Sequence, residues 1–393
     1  MTGSARRTIA SHALAAVGMS LPWPLLVLLI WERAGDGWVL GVAGAARMLP
    51  YVALSWAAGR LADRFVRDRI VRLTLVSRAF ALLAVAVALA AGHTWLALGA
   101  ATFAVAVATP AYPALAAAMP GLAGRHTEGA TSLLVTCEVA SFVVGPALGG
   151  LLLAPSTRDL VPWAAMLCLV AAWLLFEGVR LPAPTFVVAR TRATGVLAAL
   201  RTSSVLRGAV AAVAVVNAVA ASVALALLPL AEGWSGSGEG TAFGIATGAL
   251  GFGALGGPLL GRIGDRWGLG PRVWLVVLAA CLIGVAPAPS LWVAVPLLAV
   301  AGAAAVQVEI VATAFVQVAA PDRLRASVLG LTDTAMVAAA LLGALVAPTM
   351  AATLGPEPVV LVAAAGSVAA VMLVRRPVVG VNQPVEQPQP VAA

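Results

Sequence analysis

The chain has 393 residues, of which 62% are hydrophobic and 10% charged, with a mean hydropathy of +1.01. A soluble domain carries about a quarter charged residues, so this sequence has too few polar groups to cover a water-facing surface, and the same balance excludes disorder. All 24 basic residues are arginine, which excludes Walker-type phosphate loops and Schiff-base lysines; the net charge of +8 punctuates apolar segments instead of forming a nucleic-acid-binding face.

A bilayer core about 30 Å thick takes about 20 apolar residues of helix to cross. Twelve such runs can be drawn, at 10–31, 38–58, 70–92, 94–119, 129–154, 161–180, 205–231, 241–260, 272–288, 291–319, 327–353 and 357–374. The first follows Arg6 and Arg7 as a signal peptide would, but its run is too long and eleven more spans follow, so it reads as a retained helix. Most runs are apolar on all sides, as spans packed against lipid and each other should be. The expected fold is therefore an all-α polytopic membrane protein with cytoplasmic termini. Cys137, Cys168 and Cys281 all lie in apolar runs and read as reduced packing residues, with no metal-ligand spacing.

With the N-terminus inside, twenty of the 24 arginines fall in inner segments, only Arg33 and Arg158 fall outside, and Arg47 and Arg78 lie within spans. That is the positive-inside asymmetry, and it requires an even number of crossings. The longest inner segment separates six spans from six. Pro182 and Pro184 are expected to end the sixth helix, and Gly195–Arg201 to form a short surface helix. The predicted organisation is a six-helix half at 1–180, a cytoplasmic linker at 181–204, a second half at 205–376 and a disordered tail at 377–393.

The halves repeat each other. Gly59-Arg60-Leu61-Ala62-Asp63-Arg64 recurs as Gly261-Arg262-Ile263-Gly264-Asp265-Arg266, and the stretch from Ala147 to Pro155 recurs from Ala340 to Pro348. Duplicated six-span units are a transporter architecture with substrate held near the midplane between them. The Gly-x-x-x-Asp-Arg cluster after the second and eighth spans resembles the signature of the major facilitator superfamily. Val66 and Asp68 replace a glycine and a base of that signature in the first copy; the second keeps Gly268 and delays its base to Arg272. The resemblance implies an inner gate built from Gly59, Asp63, Arg64, Arg67, Gly261, Asp265 and Arg266. There Asp63 would accept hydrogen bonds from the start of the eleventh span around Ala326 and Ser327.

Gly145-Pro146-Ala147-Leu148-Gly149-Gly150 resembles the fifth-helix motif of drug/proton antiporters in this superfamily, with Ser132 and Ser141 in place of two upstream glycines. Pro146 should bend the span, and the small residues should admit a second helix; the eighth span, with Gly244, Gly248, Gly253, Gly257 and Gly261, is the expected partner. Arg47-Met48-Leu49-Pro50, Ser203–Arg207 and Pro321–Arg325 are similar to pieces of bacterial macrolide-efflux and enterobactin exporters.

An ionisable group at the bilayer centre costs about 2.5–3.5 kcal/mol on insertion scales, so each needs a partner, water or a function. Candidates for the proton and substrate cavity are Glu138, Glu309, Arg47, Asp333, Arg78 and the uncharged Asn217; His12, Trp23 and Trp31 are weaker. Glu138 is the leading proton carrier, with an ion pair to Arg78 or Arg47 as its purely structural alternative. The expectation is a non-enzymatic, cofactor-free, metal-free monomer of the inner or plasma membrane. It would export a small amphipathic drug or secondary metabolite in exchange for protons. A proton symporter importing a sugar or organic acid, and a non-transporting receptor, are the alternatives.

Overall fold

The computed structural model describes residues 2–35, 37–182, 193–234, 239–267, 269–320 and 325–374. It is all helix among the described residues. In chain order the helices are α1 (Gly3–Ser20), α2 (Trp23–Ala34), α3 (Trp38–Ala46), α4 (Leu49–Arg64), α5 (Arg67–Ala90), α6 (Thr94–Ala108), α7 (Ala111–Ala123), α8 (Thr127–Leu151) and α9 (Val161–Phe176). They continue as α10 (Ala193–Thr202), α11 (Ser204–Gly233), α12 (Glu239–Arg266), α13 (Pro271–Val285), α14 (Leu291–Ala319), α15 (Arg325–Leu354) and α16 (Pro356–Leu373).

Among the described residues ten stretches, with α1–α2 and α6–α7 each taken as one, are long and apolar enough to cross a membrane, α13 is a shorter apolar helix, and α3–α4 stands where the second run was expected. Three of the expected runs are broken in two, as α1–α2, α3–α4 and α6–α7, and each break coincides with proline. Pro22 and Pro24 interrupt the first span, Pro50 the second, and Pro110 and Pro113 the fourth. Proline has no N–H to donate and its ring crowds the carbonyl four residues back, so the helical ladder has to restart. Such breaks persist in hydrocarbon only where protein or water supplies the missing bonds. The sequence reading drew these spans as continuous.

The sixth span ends earlier than expected. The α9 helix stops at Phe176, and Gly178 turns the chain in the left-handed region (φ 73°), ahead of Pro182. Glycine adopts that conformation without the Cβ clash that other residues meet. Pro182 instead packs over Gly121 of α7. The short surface helix is present as α10, longer than the predicted Gly195–Arg201. The remaining linker residues 183–192 and the tail from 375 lie outside the described residues.

Packing within α1–α9 is repeated within α11–α16. Helix α1 lies against α8 and α9 as α11 lies against α15 and α16, and α5 meets α9 as α13 meets α16. Single contacts repeat too: Arg72 at the start of α5 donates to the Val179 carbonyl (3.1 Å), and Arg272 at the start of α13 donates to the Val374 carbonyl (2.9 Å). Around the first of these, Arg7 donates to the Leu175 and Glu177 carbonyls (3.0 and 2.6 Å), and the buried Arg67 to those of Ala117 and Pro182 (2.9 and 3.4 Å). Cations at a helix C-terminus satisfy carbonyls that have no partner within the helix.

The two sets of helices meet at one end of the bundle, where few arginines lie. There α3 runs along α15: the Gly37 N–H donates to the Pro348 carbonyl (3.1 Å), and Gly41 sits under the Leu345 and Ala344 carbonyls. The second contact is α8 on α12, where Gly150 and Gly244 lie backbone to backbone with no room for a side chain. Toward the arginine-rich end α8 and α15 carry glycines with no close neighbour among the described residues. A Cβ added at Gly129 of α8 or Gly330 of α15 would meet nothing within 4 Å.

The glycines of the eighth span therefore divide. Gly244 and Gly248 face α8, as expected, whereas Gly253, Gly257 and Gly261 pack on α14, against Ala299, Val306 and Gln307. The fifth-span motif divides likewise, because Gly145 and Gly149 seat on α1 at Val17, Ser20 and Leu21, and only Gly150 reaches α12. Residues four apart in a helix share a face, but two close-packing partners can occupy faces about a quarter-turn apart.

Candidate functional site

The site is built where the helix breaks come together. The α3 helix ends at Ala46 and Arg47 caps it, with the Met48 N–H turned back to the Ala45 carbonyl (2.9 Å) before Pro50 starts the next segment. This places Arg47 at a mid-span kink. Its Nη2 donates to the Ser20 hydroxyl (2.9 Å) at the break in the first span, and its guanidinium lies 5.1 Å from the centre of the Phe142 ring on α8. Tyr51, one turn after Arg47, packs on the same ring with centroids 5.7 Å apart. Cation–π contact holds the guanidinium without neutralising it.

Arg78 uses the third break. It is 4% exposed and donates from Nη2 to the Ala108 carbonyl (3.1 Å), the last of α6, so it repairs a helix end and does not face the opening.

The partner of Glu138 differs from the sequence expectation. Neither Arg78 nor Arg47 is within salt-bridge distance, although Arg78 lies within electrostatic reach, and the carboxylate instead meets His12 of α1, Nε2 to Oε2 at 2.7 Å. The His12 side chain is 4% exposed and that of Glu138 20%, so the histidine is buried and the carboxylate is partly exposed. The ring of Tyr112 on α7 lies 5.9 Å from that of His12. Tyr112 is also within electrostatic reach of both Glu138 and Asp333.

On the far side the charges are acidic. Glu309 of α14 is a hydrogen-bonding neighbour of Asn217 on α11, whose Nδ2 also donates to the Val213 carbonyl (2.9 Å), and Asp333 of α15 lies within electrostatic reach of Glu309. Among the described residues neither carboxylate has a cation within salt-bridge distance. Asp333 is exposed, and so is Thr334 beside it. A carboxylate exposed to lipid at that depth would carry the insertion cost given above. Gln307, beside Glu309 in sequence, is turned away and donates to the Gly257 carbonyl.

The gate cluster can be placed only in part. Gly59, Asp63 and Arg64 lie in the last turns of α4, and Gly261, Asp265 and Arg266 in those of α12. The side chains of Asp63, Arg64 and Asp265, and of the α15 start at Ala326 and Ser327, lie outside the described residues. Arg266 is exposed, and Arg67 is committed to the Ala117 and Pro182 carbonyls. Ser20, Tyr51, Tyr112 and Phe142 were missed in the sequence. The proline next to each break was the available signal for Ser20 and Tyr112.

The Major Facilitator Superfamily model matches residues 8–331, most of the chain. The chain belongs to this superfamily. No curated protein sequence matches it. Solved structures of the superfamily fold share its shape at low identity. A bacterial homologue of the human lysosomal transporter Spinster, in an inward-facing and unoccupied conformation, has a TM-score of 0.65 at 12% identity over 94% of each chain. A D-xylose–proton symporter has a TM-score of 0.70 at 14% identity, covering 94% of this chain and 95% of its own. The nucleoside transporter NupG has a TM-score of 0.67 at 13% identity, covering 94% and 98%. The major facilitator fold and its apolar helices make the protein a multi-pass membrane transporter with a small-molecule substrate.

Proposed function

We propose that the protein is a proton-coupled exporter of small amphipathic compounds in the cytoplasmic membrane. Its two six-helix halves, joined by the segment after α9, rock about the cleft between Arg47 and Glu309. The arginine-rich end is cytoplasmic by the positive-inside asymmetry. On that orientation the α3–α15 and α8–α12 contacts close the outer face, as an exporter that loads its substrate from the cytoplasm requires.

The observation that carries the coupling is the His12–Glu138 pair, in which a partly exposed carboxylate meets a buried histidine. A proton arriving from outside onto Glu138 or Glu309 removes the negative charge that holds the cleft's polar contacts and favours substrate release, and loss of the proton inside resets the site. The export direction rests on the fifth-span motif, whose Gly145 and Gly149 allow α8 to slide close along α1 while Gly150 makes the outer contact with α12.

Everted membrane vesicles loaded with a pH dye test the reading. Adding a transported drug should move protons in wild type and lose most of that signal in Glu138→Gln and Glu309→Gln. Undiminished proton movement in both variants would refute the coupling.

A further inference from the structure

The charges in the cleft are segregated by half. Arg47 presents a guanidinium held by a serine hydroxyl and an aromatic face, with no carboxylate within salt-bridge distance among the described residues. The one carboxylate on its side, Glu138, is matched to His12. In the other set of helices Glu309 and Asp333 lie within electrostatic reach of each other, with no cation within salt-bridge distance among the described residues and with Asn217 as a hydrogen-bonding neighbour of Glu309. Tyr112 lies within electrostatic reach of both Glu138 and Asp333, and α3, which ends at Arg47, packs along α15, which carries Asp333.

A charge in low dielectric without its counter-charge is poorly compensated, and among the described residues neither Arg47 nor the two carboxylates have an opposite charge within salt-bridge distance. The geometry points to a zwitterionic substrate. Its carboxylate or other acid group would bind Arg47 beside Ser20, its ammonium group Glu309 and Asp333, and its aromatic or aliphatic body would lie against Tyr51 and Phe142. Arginine suits the acid end because its planar fork pairs with a carboxylate through two parallel bonds. This substrate class rests on the exporter reading, and it adds a consequence. A proton taken up by Glu309 competes directly with the substrate's ammonium, so proton entry and substrate release are one exchange at one group.

The probe is a series of aromatic amino acids with increasing separation between ammonium and carboxylate, each paired with its methyl ester and its N-acetyl derivative. Binding is read as thermal stabilisation of the full chain in nanodiscs, and transport as uptake into everted vesicles. At least one zwitterion should bind tenfold or more tighter than both of its capped forms. Arg47→Gln should bind the ester as well as the parent, Arg47→Lys should restore part of the preference for the parent, and Glu309→Gln with Asp333→Asn should abolish the preference over the N-acetyl form. Capped forms binding as well as every zwitterion, discrimination surviving in Arg47→Gln, or no member of the series binding would each overturn the proposal. Proton-coupled uptake of the ester alone would leave the exporter standing and remove the substrate class. Zwitterion binding without flux would do the reverse.

Discussion

Valine at Gly41 and Gly244 should force the outer contacts apart and drive the protein out of the arrangement in which its outer face is closed. A Cβ at Gly41 falls 2.8 Å from the Leu345 carbonyl oxygen and 3.2 Å from that of Ala344, and one at Gly244 falls on the Gly150 carbonyl. All of these are backbone atoms, so no rotamer change gives relief. Overpacking of this kind costs about 1–3 kcal/mol per site. The sites belong to separate helix pairs and should add, giving about 2–6 kcal/mol against the closed outer face. A shift of about 5.5 kcal/mol inverts a 99:1 equilibrium, so the double variant should approach inversion. Spin labels at the exposed Trp38 and Thr353, with Cys137, Cys168 and Cys281 replaced, report the α3–α15 separation by pulsed electron resonance. The short-distance population should give way to a longer one. Valine at Gly129 and Gly330, where nothing lies within 4 Å, should leave it unchanged. A folded double variant with the wild-type distribution, or controls that move it equally, would sink the conformational assignment.

Further expectations concern single groups. Breaking the His12–Glu138 pair with His12→Ala should cost about 3–5 kcal/mol, and the His12→Ala/Glu138→Gln double variant should recover much of it; chemical denaturation in a double-mutant cycle measures the difference. Ser20→Ala removes one hydrogen bond from a charged donor, worth about 1.5–3 kcal/mol, so substrate affinity should fall about tenfold or more while the melting temperature moves little. Thr247 carries a buried hydroxyl without a partner, so Thr247→Val should be neutral or stabilising by up to about 1 kcal/mol, with unchanged flux. Gln307→Leu should instead destabilise by about 1–3 kcal/mol, because it leaves the Gly257 carbonyl unpaired and crowds Gly261.

The crossings were legible because hydropathy and arginine placement are properties of each segment alone. The superfamily was legible because its signature is a short string in one loop and its repeat. What the sequence hid is relative rotation. A span that is apolar on every side gives no phase for its helix, so nothing local says that His12, and not Arg78 or Arg47, faces Glu138. The glycines of the eighth span share one spacing yet serve two neighbours, α8 and α14, for the same reason. The breaks at Pro22, Pro50 and Pro110 were written in the sequence, but their consequence was not. Which residue is placed beside each break, and what it then meets, depends on how three kinks align in space.

The arginines clamped on carbonyls at the end of α9 and after α16 bear on how the transporter handles a pH gradient. A guanidinium stays charged at any pH a cell experiences. Arg7, Arg67, Arg72 and Arg272 thus act as rivets whose grip is the same in an acidified medium as in the cytoplasm. Lysine could have made similar bonds, but none is present. With the scaffold's cations fixed in this way, acidification acts on the carboxylates of the transport path, and the frame they move against keeps its shape.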